Sequence, residues 1–102
     1  MQPNEIDTDS IMAKWNQTKN LFFNELVKTY KLTNTWSHII SENTFKEIAS
    51  VNQLKPGELM LPFRIMLVGG KYGPGVFDIA SILGKEETIK RIEYSLNLLN
   101  TK

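Results

Sequence analysis

Arg64 is the only charge between Glu58 and Lys71, set in Leu59-Met60-Leu61-Pro62-Phe63-Arg64-Ile65-Met66-Leu67-Val68. A guanidinium in so apolar a run needs a partner or a route to water. Two chemistries are open to it. It could be structural, pairing with Asp78 or capping a carbonyl. It could instead stack on, or hydrogen-bond to, an unpaired nucleobase. Directly after the run comes Gly69-Gly70-Lys71-Tyr72-Gly73-Pro74-Gly75, where glycine frees backbone amides that can hold an anion and Lys71 could meet a phosphate. The spacing matches neither the P-loop, Gly-x-x-x-x-Gly-Lys followed by Ser or Thr, nor the dinucleotide fingerprint. A tight structural loop is the plain alternative.

The remaining chemistry-bearing residues are sparse. With no cysteine and a single histidine, His38, there is no disulfide framework, thiolate metal site or histidine cluster. His38 reads as a surface helix residue, without a second ligand or a nucleophile beside it. Glu86 and Glu87 fit helix-dipole and salt-bridge roles better than acid–base catalysis. Trp15, Trp36 and the phenylalanines fall at helical spacing, as core residues do. No catalytic constellation emerges.

The elements that must position these residues are helical. Asp7, Thr8, Asp9 and Ser10 can cap a first helix carrying Ile11 and Trp15. From Thr18 to Tyr30, Phe22, Phe23, Leu26, Val27 and Tyr30 recur three and four apart, the amphipathic pattern. Ser37 caps a helix that carries Ile40, Thr44, Phe45, Ile48 and Ala49 inward, with Trp36 packed at its start. Lys55-Pro56-Gly57 reads as a turn. Leu59 to Val68 fits a buried strand or a buried helix, and Pro62 favours the helix. Gly69 to Gly73 forms a loop; Pro74 opens a short helix with Val76, Phe77, Ile79, Ala80, Ile82 and Leu83, stopped by Gly84. The last helix has an inward seam of Ile89, Ile92, Leu96 and Leu99 and acid-to-base pairs Glu86–Lys90 and Glu87–Arg91. The expected fold is all-α, a small bundle of about five or six helices.

At 102 residues, 41% hydrophobic and 23% charged, the chain makes one packed domain. Residues 1–7 read as a flexible lead or the end of a linker, and 8–102 as the helical domain. A net charge of +1 gives no bulk attraction for a polyanion, so any nucleic-acid contact must be local. The chain lacks a membrane-length apolar segment and a signal peptide, which points to a soluble, cytoplasmic protein.

Lys55-x-Gly57, Pro62-Phe63-Arg64, Gly69, Gly73-Pro74-Gly75-Val76-Phe77 and Leu83-Gly84-Lys85-Glu86-Glu87-Thr88-Ile89-x-Arg91-Ile92 occur in that order. This arrangement resembles the C-terminal, anticodon-binding part of bacterial glutamyl-tRNA synthetases. The likeness is strong from Lys55 to about Leu96, weak over the two preceding helices and absent before Thr8. It implies a helical domain of the class I synthetase anticodon-binding type. The family's Pro-Leu-Arg arginine falls on Arg64, and its loop residues near the first two anticodon bases fall on Gly73, Pro74 and Val76. Phe63 stands for the common leucine, Val68 for a frequent threonine, and Gly73 for a hydroxyl side chain of some members. Amides freed by Gly73 and Gly75 could still read an unstacked base edge.

The resemblance implies a fragment that recognises the anticodon loop of tRNA-Glu and positions that tRNA for a catalytic domain elsewhere in a longer synthetase. No His-Ile-Gly-His or Lys-Met-Ser-Lys-Ser type motif is present, so the piece itself should not activate glutamate or hold a cofactor; ATP and magnesium would belong to the parent ligase. A monomer with tRNA and the rest of the synthetase as partners is expected. A helical protein–protein interaction domain with a structural glycine loop is the alternative.

Overall fold

A computed structural model of the chain describes residues 11, 15–69 and 75–100. Among them, five helices can be delimited and no strand occurs, as the periodicity of the sequence led one to expect: α1 (Gln17–Leu32), α2 (His38–Val51), α3 (Pro56–Val68), α4 (Val76–Leu83) and α5 (Lys85–Asn100). The expected lead at residues 1–7 lies outside the described residues. Ile11 is buried, and Trp15 stacks on Phe23 with centroids 5.9 Å apart.

Each helix boundary has a local cause. Asn16 caps α1, its side chain accepting from Lys19 N–H at 2.9 Å, and Ser37 caps α2 by accepting from Ile40 N–H at 3.1 Å. The turn expected at Lys55-Pro56-Gly57 is instead the start of α3: Pro56 takes its first position, where the missing N–H is not needed. Pro62 consequently lies well inside the helix, where it cannot donate to the carbonyl one turn back. Gly69 ends α3 in the left-handed region at φ 84°, its N–H donating to Ile65 O at 2.7 Å. α4 has Gly75 as its cap and Val76 as its first helical residue; Pro74, where its start was expected, lies outside the described residues.

Gly84 alone joins α4 to α5. Its φ and ψ of 86° and 164° belong to a region open almost only to glycine, its N–H closes α4 on Ala80 O, and its carbonyl accepts from Thr88 N–H in the first turn of α5. The short link turns the chain sharply and places α4 between its neighbours.

α4 packs against α2, α3 and α5, while α1 lies across α2 and α5. The inward stripe of α1, Phe22, Phe23, Leu26, Val27 and Tyr30, is buried as its spacing predicts, and so is the α5 seam of Ile89, Ile92, Leu96 and Leu99. In α2, Phe45, Ile48 and Ala49 are inward, but Ile40 and Thr44 are only half-buried and Ser41 takes the fully buried position. The reason is polar: Tyr30 Oη donates to Ser41 O at 2.9 Å, so the α1–α2 contact closes on a hydrogen bond. Burial pushes the Tyr30 phenol far above its ordinary range.

Five phenylalanines form the centre. Phe45 meets Phe22 at 5.0 Å, Phe63 at 4.9 Å and Phe77 at 5.3 Å between centroids, so one α2 ring ties α1, α3 and α4 together. Trp36 extends the cluster at the α1–α2 link. It meets Tyr30 edge-on at 4.8 Å and its indole N–H donates to Ala80 O at 2.9 Å, anchoring the C-terminal end of α4.

Candidate nucleic-acid interface

The loop between α3 and α4 is flanked by two helix ends, built differently. On the upstream side, Arg91 of α5 reaches across to α3, its Nη1 donating to Leu67 O at 2.5 Å. Its Nε donates to Glu87 Oε2 at 2.8 Å, the acid-to-base pair expected from the sequence. Arg91, a residue only 8% exposed, thus ends on one carboxylate and one orphan carbonyl, where the α3 dipole also favours a cation. The Arg91 hydrogen bond holds the Glu87 carboxyl below its usual range. With Gly69 closing the helix, this shoulder is capped and neutral.

On the downstream side α4 begins without a side-chain cap. Its first backbone bond runs from Ile79 N–H to Gly75 O at 3.0 Å, so the amides of Val76, Phe77 and Asp78 lie ahead of the helical ladder. Amides in that position can receive a carbonyl, a ring nitrogen or a phosphate oxygen. The side chains of Val76 and Phe77 are buried, which fixes the backbone to the core, and Asp78 faces outward.

Arg64 lies on α3 one turn before Val68 and is half-buried. It is engaged within the fold; Asp78, the acidic partner open to it on sequence grounds, binds His38 at 2.5 Å. The Leu67 carbonyl at the end of that helix is taken by Arg91. Val76 occupies the first position of α4, and its side chain belongs to the core. Lys71, Gly73 and Pro74 lie outside the described residues.

His38 was legible only as a surface residue. Its ring spans two helices, with Nδ1 2.5 Å from Asp78 Oδ1 on α4 and Nε2 3.1 Å from Glu42 Oε1 on its own helix. Forty positions separate His38 from Asp78, and no local pattern announces such a pair. Among the described residues no group of His, Asp and Glu side chains is arranged to hold a metal, and no helix is long and apolar enough to cross a membrane.

Comparison with known proteins bears on what this surface meets. Residues 1–96 match the family described as the anticodon binding domain. The glutamate–tRNA ligase of Flavobacterium johnsoniae is 34% identical over 85 residues, which is 83% of this chain and 17% of that protein. Glutamate–tRNA ligase 2 of Thermoanaerobacter pseudethanolicus is 36% identical over 73 residues, 72% of this chain and 15% of that protein. The crystal structure of a glutamate–tRNA ligase from Elizabethkingia meningosepticum, in complex with its amino acid, superposes with a TM-score of 0.86 at 28% identity, over 97% of this chain and 20% of that one. The chain therefore spans about a sixth to a fifth of the length of these relatives.

Proposed function

We propose a function from one premise: this chain belongs to the anticodon-binding domain family, within the part of it found in glutamate–tRNA ligases. Its role is to hold the anticodon loop of tRNA-Glu and so position that tRNA for aminoacylation by a catalytic domain carried elsewhere in a longer ligase. ATP and magnesium serve that catalytic domain; this piece selects RNA and does no bond chemistry. The setting is the cytoplasm, the unit a monomer, and the partners are tRNA and the remainder of the synthetase.

The observation that carries the reading is the joint between α3 and α4. Arg64 is half-buried on α3 and engaged within the fold, and among the described residues no side chain caps the first amides of α4, whose backbone is anchored by Val76 and Phe77. A half-buried cation on α3 and amide donors fixed at the start of α4 would suit an unstacked base, which offers a ring face and a polar edge. Arg64 stacks on or hydrogen-bonds to a base; Val76 contributes its backbone N–H, its side chain being spoken for. Gly73 and Pro74 contact the bases and Lys71 meets a phosphate. A net charge of +1 makes the interaction of this chain alone weak and dependent on salt.

Arg64→Ala is the direct test, with affinity for a tRNA-Glu anticodon stem-loop measured beside thermal stability. The expected result is a loss of about 1–3 kcal/mol in binding with the fold intact. Unchanged binding, or an unfolded variant, would instead make Arg64 a structural residue and favour a protein-interaction domain.

A further inference from the structure

The exposed face of the α4 N-terminus carries a chain of charges whose centre is an imidazole. Asp78 Oδ1 meets His38 Nδ1 at 2.5 Å, His38 Nε2 meets Glu42 Oε1 at 3.1 Å, and Lys46 Nζ meets Glu42 Oε2 at 2.7 Å. The other Asp78 oxygen turns toward the loop: a Cβ placed on Gly75 would lie 3.2 Å from Oδ2. On its remaining side the His38 ring faces Phe77, 6.2 Å between centroids.

A neutral imidazole has one N–H and one lone pair, so between two carboxylates it satisfies one and repels the other; the imidazolium donates to both. The hydrogen bond to Asp78, and then that to Glu42, raise the His38 pKa. Asp78 and Glu42 are the ionisable groups that act on it among the described residues, since Lys46 faces Glu42. The sign follows. A raised folded value means that the clasp's contribution is complete below the ordinary histidine range and is lost as pH rises through the higher folded value.

For a polyanion the consequence is local. Asp78 unpaired is a negative charge within one turn of the amides of Val76 and Phe77; Asp78 paired to an imidazolium is close to neutral. We propose that His38 is a positioning residue for RNA binding: its protonated ring pins Asp78 and cancels that carboxylate beside Gly75 and Val76, so the protonated chain holds the anticodon loop more tightly than the neutral one. This rests on the assignment of the α4 edge to RNA. Linkage requires the converse, that bound RNA favours the protonated ring.

His38 is the only histidine in the chain, so its imidazole resonances can be followed without ambiguity. They are to be titrated by NMR in the full chain, free and saturated with a tRNA-Glu anticodon stem-loop, with the dissociation constant measured at about pH 5.5 and pH 8. The expected result is a His38 pKa that rises further on RNA binding, with affinity about five-fold weaker at the higher pH, the low end of coupling for so exposed a pair. Two variants separate charge from mere packing. His38→Gln keeps a hydrogen-bond donor for Asp78 but should bind weakly and flatly across this range; Asp78→Asn should bind at high pH as tightly as the wild type does at low pH. Binding that is flat in pH for the wild type, with a His38 pKa indifferent to RNA, overturns this inference alone. RNA that fails to bind at any pH overturns both it and the assignment beneath it.

Discussion

The two shoulders of the α3–α4 loop follow opposite designs. Upstream, the carbonyl end of α3 is sealed by a buried guanidinium, a left-handed glycine and a carboxylate behind them. Downstream, among the described residues, the amide end of α4 has no side-chain cap, and the exposed Asp78 and His38 pair beside it. Among the described residues, one end has its hydrogen-bonding capacity used by side chains and the other has no side-chain partner. Two arginines differ in burial: Arg91 is buried on α5, and Arg64 is half-buried on α3. Well-anchored amides without a side-chain cap among the described residues suit recognition, which is why we assign the downstream shoulder to RNA.

The variant expected to cost most acts on both shoulders at once. Phe45 touches Phe63 of α3 and Phe77 of α4, so Phe45→Ala should destabilise the domain by about 4 kcal/mol in urea unfolding and weaken RNA binding through loss of order at both ends. A smaller effect confined to the upstream shoulder is expected from Arg91→Ala, about 3 kcal/mol, because it strands the Leu67 carbonyl and removes the guanidinium from Glu87. At a temperature and denaturant concentration where this variant remains folded, its RNA affinity should stay near that of the wild type. A large binding defect in folded Arg91→Ala would erase the distinction between the shoulders. Arg64→Ala should show the mirror image: within about 1 kcal/mol of wild-type stability, as for most substitutions outside the sealed core, with the loss appearing in binding.

Helix identity was legible because it is local. The stripes Phe22 to Tyr30 and Ile89 to Leu99 carry their period in consecutive residues, and Gly84 and Ser37 mark ends by chemistry that acts within one turn. Pro56-Gly57 was misread as a turn since the same dipeptide serves a turn and a helix start equally well, and only the depth of Pro62 within α3 resolves which. The site was less legible than the fold. Arg64 drew notice through its apolar neighbours in sequence, yet those neighbours point around a helix in several directions, and the guanidinium that is truly buried is Arg91, from a segment rich in charge. The His38–Asp78 pair joins residues forty positions apart, and its existence depends on how α2 lies against α4. Tertiary placement decided what spacing could not.

The most direct measurement follows backbone amide shifts while the chain is titrated with a tRNA-Glu anticodon stem-loop. Shifts should gather at Arg64 and from Gly75 to Asp78, leave the Leu67–Arg91 shoulder and the α1–α5 face nearly still, and fade as salt is raised. Perturbations centred on α1 and α5, or none at high RNA concentration, would contradict the assignment of the downstream shoulder to RNA.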